Sequence, residues 1–166
     1  MAEPTEDVLV KVATNAAEDF VKSFYSTLSN ETGKLAGFYI KPSPSHPLKP
    51  KITINGNLVK DPETFEATLN KQKERPSYDY NSFDAHPLNH NFNVGADDTA
   101  PDKDGKKMSI AVMCSGNVKY TLEGGIETHS FSESFVLVPN WDTHKPNAAR
   151  GLKNWLIASQ NFRHIS

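Results

Sequence analysis

The segment NWLIASQNFRHIS (154–166) carries apolar side chains at both odd and even positions. Read as a strand, it puts Leu156, Ala158, Gln160 and Phe162 on one face, and Trp155, Ile157, Ser159 and Asn161 on the other. A sheet packed on one side only alternates apolar with polar residues. Two apolar faces need two coverings, and this demand constrains the fold more than any other feature of the chain.

The two strands predicted before it repeat the pattern. Ile110, Val112 and Cys114, then Phe131, Phe135 and Leu137, form one set with Leu156, Ala158 and Phe162. Ala111 and Met113, then Val136 and Val138, form the other with Trp155 and Ile157, flecked by Ser132, Ser134, Ser159 and Asn161. The first set is richer in aromatics and is expected to pack under helices.

The helices come early. Val8, Val12, Ala16, Phe20, Phe24 and Leu28 recur every four residues, and Leu9, Ala13, Ala17, Val21 and Tyr25 widen the stripe. This predicts one long amphipathic helix over 5–29, opened by Pro4 and Thr5 and ended by Gly33. KLAGFYI (34–40) predicts a second, short helix. In 61–74, Asp61 is the expected N-cap and Pro62 takes the first helical position, with Phe65 and Leu69 on the buried side. Between these, ITINGNLV (52–59) has Asn55-Gly56 flanked by apolar pairs, a hairpin signal. Strands are predicted over 77–88, 108–120, 131–140 and 154–166.

Helices followed by an antiparallel meander predict an α+β domain covering 1–166, with long loops near 41–50, 88–107 and 141–153. One long helix and two shorter ones cover one face of a curved sheet and leave the other bare. A moderately apolar face with Ser and Asn has the composition of a protein interface. The expected partner-binding face is therefore Ala111, Met113, Ser132, Ser134, Val136, Trp155, Ile157, Ser159 and Asn161. The competing reading is a closed barrel or sandwich, for which the strands are few.

Composition narrows the function. Formal net charge is -2, so the bulk electrostatic footprint of a nucleic-acid binder is missing. Any RNA contact falls to local patches, of which Lys145, Arg150 and Lys153 in the loop 141–153 are the candidates. The one cysteine, Cys114, allows no intrachain disulfide and favours a reducing compartment. MAEPTEDVLV has no basic leader region, and no apolar run approaches bilayer length, so no membrane contact is expected.

Enzymatic chemistry has one candidate. Glu133 shares a strand face with Phe131, Phe135 and, across the sheet, Gln160 and Phe162; a carboxylate among aromatics can be a general base. Asp84, His86 and His129 lie near strand ends and give it no clear partner. Tyr25 lacks a convincing dyad. His86 and His90 are four apart but Pro87 lies between and no Glu follows His86, so the helical zinc pattern fails. DKDG (102–105) lacks the bidentate Glu of a calcium loop. No cofactor, metal or catalytic residue is expected.

The order of FVKSFYSTL, KLAGFYI, ITINGNLVKDPETFEATL, IAVMCSGNVKY, FSESFVLV and NWLIASQNFRHI resembles the nuclear transport factor 2-like fold over nearly the whole chain. Asp84–Pro87, a long polar loop, and Ile110 to Lys119 resemble the small subunits of the fungal mRNA export receptor. The resemblance implies a conical, strongly curved sheet wrapped on the long helix. It implies a heterodimer in which the outer sheet face meets the like-folded domain of the large subunit. It further implies residence in the nucleus and at the nuclear pore with shuttling to the cytoplasm, contact with nucleoporin phenylalanine-glycine repeats, and a part in exporting mRNA and large ribosomal subunits, with RNA or pre-ribosomal particles met through the loops. The alternatives are a homodimeric peptide-binding scaffold, and an isomerase or dehydratase of the same fold with Glu133 as base.

Overall fold

A computed structural model describes residues 3–44, 46–98 and 102–166. Helix α1 runs Glu6–Asn30, and the Thr5 hydroxyl accepts from the Val8 amide at 3.3 Å, as an N-cap should. The helix ends before Gly33, where the Glu31 amide bonds the Thr27 carbonyl. Its buried stripe is Ala13, Ala17, Phe20, Val21, Phe24, Tyr25 and Leu28. The predicted second helix is a 3-10 helix, Thr32–Phe38. Helix α2 spans Pro62–Asn70, where Asp61 accepts from Thr64 at 2.7 Å and Phe65 and Leu69 face inward. None of the described helices is long and apolar enough to cross a membrane.

The strands are β1 (Lys51–Ile54), β2 (Asn57–Val59), β3 (Ser77–Pro87), β4 (Ile110–Leu122), β5 (Gly125–Pro139) and β6 (Trp155–His164). They form one six-stranded sheet in the order β2-β1-β6-β5-β4-β3. Asn55 and Gly56 take φ of 49° and 82° in the β1–β2 turn, the left-handed pair that a two-residue hairpin demands. The segment 121–130, expected as a turn, is mostly strand, with β4 and β5 paired out to Leu122 and Gly125. The sheet is not wholly antiparallel, because β1 runs parallel to β6. That pairing seats the early hairpin beside the final strand, so the sheet curls round α1.

The core lies between α1 and the concave sheet face. Phe135 meets the rings of Phe20 and Phe24 edge-on at 4.8 and 5.2 Å, and Phe131 stacks on Phe162 at 5.3 Å. Each fully buried ring of this kind contributes about 3–5 kcal/mol relative to alanine. Gly116 marks where β3 presses on β4. A Cβ there would stand 2.0 Å from the Asp79 carbonyl oxygen and 2.7 Å from Tyr80 Cα, beside the register shift between Tyr80 and Ser82.

Candidate protein-interaction face

The convex face follows from the register. Met113 pairs with Ser134 and Asp84, Ser134 with Asn161, and Val136 with Ala111 and Ser159. Met113 is 47% exposed, Ser132, Ser134 and Asn161 are exposed, and Ala111, Val136 and Ser159 are half-buried. Asp84 and His86 flank the patch on β3, with His86 Nε2 at 2.9 Å from Asp84 Oδ2. This is a shallow surface of methionine, valine and small hydroxyls.

Two residues expected on this face are not on it. Ile157 is fully buried and Trp155 packs against the core, its indole N–H donating to the Met108 carbonyl at 3.2 Å. The cause is a bulge in β6. Val136 pairs with Ser159 but Leu137 pairs with Ile157, so Ala158 is the unpaired extra residue. One inserted residue turns every side chain beyond it to the opposite side. Leu156, predicted inside, is thereby half-buried opposite Val138. The signal available was size: Trp155 and Ile157 are the bulkier pair and belong in the core.

The concave face holds a buried carboxylate with more partners than the sequence predicts. Tyr25 Oη donates to Glu133 Oε1 at 2.7 Å, and Gln160 Nε2 donates to Oε2 at 2.7 Å. Tyr39 Oη in turn donates to Gln160 Oε1. Glu133 is 1% exposed. Burial pushes its carboxyl up to about 7, against the lowering pull of the hydrogen bonds from Gln160 and Tyr25. Burial and the nearby carboxylate also raise the Tyr25 and Tyr39 hydroxyls, and burial lifts the Cys114 thiol to about 11. Glu133 thus has Tyr25 as the partner that spacing did not disclose. The chain of hydroxyl, carboxylate, amide and hydroxyl is internally satisfied and joins α1, the segment after the 3-10 helix, β5 and β6.

A separate groove of about 230 Å³ opens between α1, the end of the 3-10 helix and the residues leading into β6. Phe20, Phe38, Ala16, Leu152 and Trp155 make its apolar wall, with Asp19 and Lys153 among the polar groups. The groove does not reach Glu133. Lys153 Nζ sits 4.1 Å above the Phe38 ring. Lys145 pairs with Asp142 at 3.1 Å, and Arg150 is exposed. The three cations expected to act together on the 141–153 loop therefore have separate settings. Among the described residues no cluster of His, Cys, Asp and Glu has the arrangement of a metal site.

A curled six-stranded sheet with its concave face filled by a long N-terminal helix, a short 3-10 helix and α2, and its convex face bare, is a nuclear transport factor 2-like α+β fold. Within that fold the chain is close to Mtr2. It superposes on a structure of the Chaetomium thermophilum Mex67 NTF2-like domain complexed with Mtr2 with a TM-score of 0.76 at 28% identity, covering 92% of this chain and 98% of that one. A Sac3N peptide bound to Mex67:Mtr2 gives a TM-score of 0.77 at 28% identity, with the same coverage. A structure of Mtr2 gives 0.75 at 25% identity, again covering 92% and 98%. No protein-family model matches the chain, and no curated protein sequence is significantly similar to it.

Proposed function

We propose that the chain is the non-catalytic small subunit of a heterodimeric mRNA export receptor. It pairs through the convex face of β4, β5 and β6 with the like-folded domain of a large subunit. The observation that carries this reading is the exposed Met113 set among Ser132, Ser134, Val136 and Asn161, on a fold close to that found with Mex67. Such faces bury on the order of 1,600 Å² in total, so a charge near the centre costs several kcal/mol. A non-catalytic role fits Glu133, whose two oxygens are occupied by Tyr25 and Gln160 and which the groove beside α1 does not reach; a general base needs contact with its substrate.

The reading includes shuttling through nuclear pores by weak contacts with phenylalanine-glycine repeats. The groove walled by Phe20, Phe38 and Trp155 is a fitting receptor for an aromatic side chain. Export of large ribosomal subunits, and contact with RNA or pre-ribosomal particles through the 88–107 and 141–153 loops, belong to the same proposal; positions 99–101 lie outside the described residues.

The test is co-purification of a tagged large subunit with the intact chain and with a Met113→Glu, Val136→Glu double variant. The intact chain is retained and the folded variant is not. Retention of the folded variant places the interface elsewhere. A homodimer with no large-subunit binding moves the reading to a scaffold.

A further inference from the structure

A third cluster lies on the concave side of the sheet, apart from the interaction face and the Glu133 network. Tyr120 of β4 pairs with Glu127 of β5, His129 of β5 with Val118, and His164 of β6 with Phe131. The two imidazoles stack, with centroids 4.9 Å apart and planes inclined at 21°. The Tyr120 ring stands edge-on to both, at 5.9 and 5.7 Å.

The hydrogen-bond partners differ between the rings. His129 Nδ1 is 2.6 Å from the Ser166 main-chain oxygen, and its Nε2 is 3.2 Å from Glu127 Oε1. Both partners accept and neither donates. His164 is the reverse. Its backbone amide donates to Asn55 Oδ1 at 2.8 Å, which fixes the orientation of that carboxamide. The Asn55 Nδ2, a donor, therefore faces His164 Nδ1 at 3.4 Å. Nδ1 must accept, and the ring proton sits on Nε2, which donates to Tyr120 Oη at 2.7 Å.

We propose that His164 acts as a pH-operated clasp: a proton on its Nδ1 releases the β1–β2 turn from β6. That proton sets an N–H against the Asn55 N–H₂. Asn55 is the joint affected, because its side chain and its amide, which donates to the Phe162 carbonyl at 2.8 Å, tie the turn to β6. The ionisable groups facing His164 are Tyr120 from β4, with Glu127 and His129 from β5; the turn contributes the neutral Asn55. On β6 itself, Arg163 projects to the other face, its guanidinium near Gly56. Burial first, and then His129, lower the His164 pKa, while Glu127 raises it. A lowered folded pKa gives stability that is present above the unfolded value and lost as pH falls through the folded one.

The experiment uses the full chain labelled with ¹⁵N. At about pH 7.5 the expected spectrum shows His164 as the Nε2–H tautomer. At about pH 5.5 the Asn55 amide loses protection against hydrogen exchange by at least about tenfold. Asn55→Asp, which a left-handed turn position tolerates, offers His164 Nδ1 an acceptor and keeps that protection in acid. His129→Gln removes the neighbouring imidazole, which lowers the His164 pKa, and raises the His164 midpoint. An Nδ1–H tautomer at His164, unchanged Asn55 protection in acid, equal acid opening in Asn55→Asp, or an unmoved midpoint in His129→Gln overturns the clasp.

Discussion

Tyr25 on α1 and Glu133 on β5 share a 2.7 Å hydrogen bond in a fully buried setting. The bond ties the long helix to the middle of the sheet, and the burial of its carboxyl makes the stability of the fold depend on pH. An unfolded glutamate ionises near 4.5, whereas folded Glu133 holds its proton up to about 7. Between those values the folded state binds a proton that the unfolded state has released. The contribution of this group is therefore greatest below the unfolded value, declines as pH rises to about 7, and is flat beyond.

Glu133→Gln is neutral at every pH and removes that slope. Wild type should lose on the order of 3 kcal/mol from this group between pH 4.5 and 7. The variant should start lower, because its N–H₂ meets the Gln160 donor, but stay level. Denaturant unfolding at several pH values measures this; parallel curves for the two proteins would refute it.

Ile157 and Met113 should separate folding from partner binding. Ile157→Asp places an unpaired charge in the core and should abolish the folded state, at a cost of about 4 kcal/mol or more. Met113→Glu lies on an exposed strand position and should leave the melting temperature within about 2 °C of wild type while breaking large-subunit capture. Thermal melts beside pull-downs decide; a Met113→Glu chain that melts early would mean that this face is internally packed.

Gly116→Ala should cost at least about 2 kcal/mol, because the new Cβ meets main chain and not a yielding side chain. The expected signature is faster hydrogen exchange along β3 around Tyr80. Normal stability would mean that β3 can lift from β4 at no cost.

Phe135→Ala should destabilise by about 3–5 kcal/mol, since it empties the contact with both Phe20 and Phe24. Equilibrium unfolding reads the loss, and Phe20→Ala in the same background should add less than it does alone, because the two rings share one cavity.

Much of this was legible in the chain. The four-residue recurrence of Val8 to Leu28 marked α1, and Asn55-Gly56 marked the turn, because local chemistry decides both. Met113, Ser132, Ser134 and Asn161 are exposed where the alternation of β4, β5 and β6 places an outer face. Ile157 and Trp155 went to the wrong side because alternation assumes an unbroken register, and the bulge at Ala158 is set by how β6 bends against β5. Gly116 in SGNVKY was a sign of close backbone approach that only the bulged β3 explains. The partners of Glu133 were hidden for another reason. Tyr25, Tyr39 and Gln160 come from three separate elements, and nothing in local spacing foretells that they converge.

The parallel pairing of β1 with β6 joins Ile52 to Gln160, segments from opposite halves of the sequence. The early hairpin therefore has no edge to bind until the final strand is in place. During biosynthesis its apolar residues Ile52 and Ile54 wait for most of the chain, a period in which exposed strand edges invite wrong partners. Nascent chains halted before β6 should be the ones that a cell must shield, and the ordering of the β1–β2 hairpin against β6 would report that synthesis has passed its point of risk.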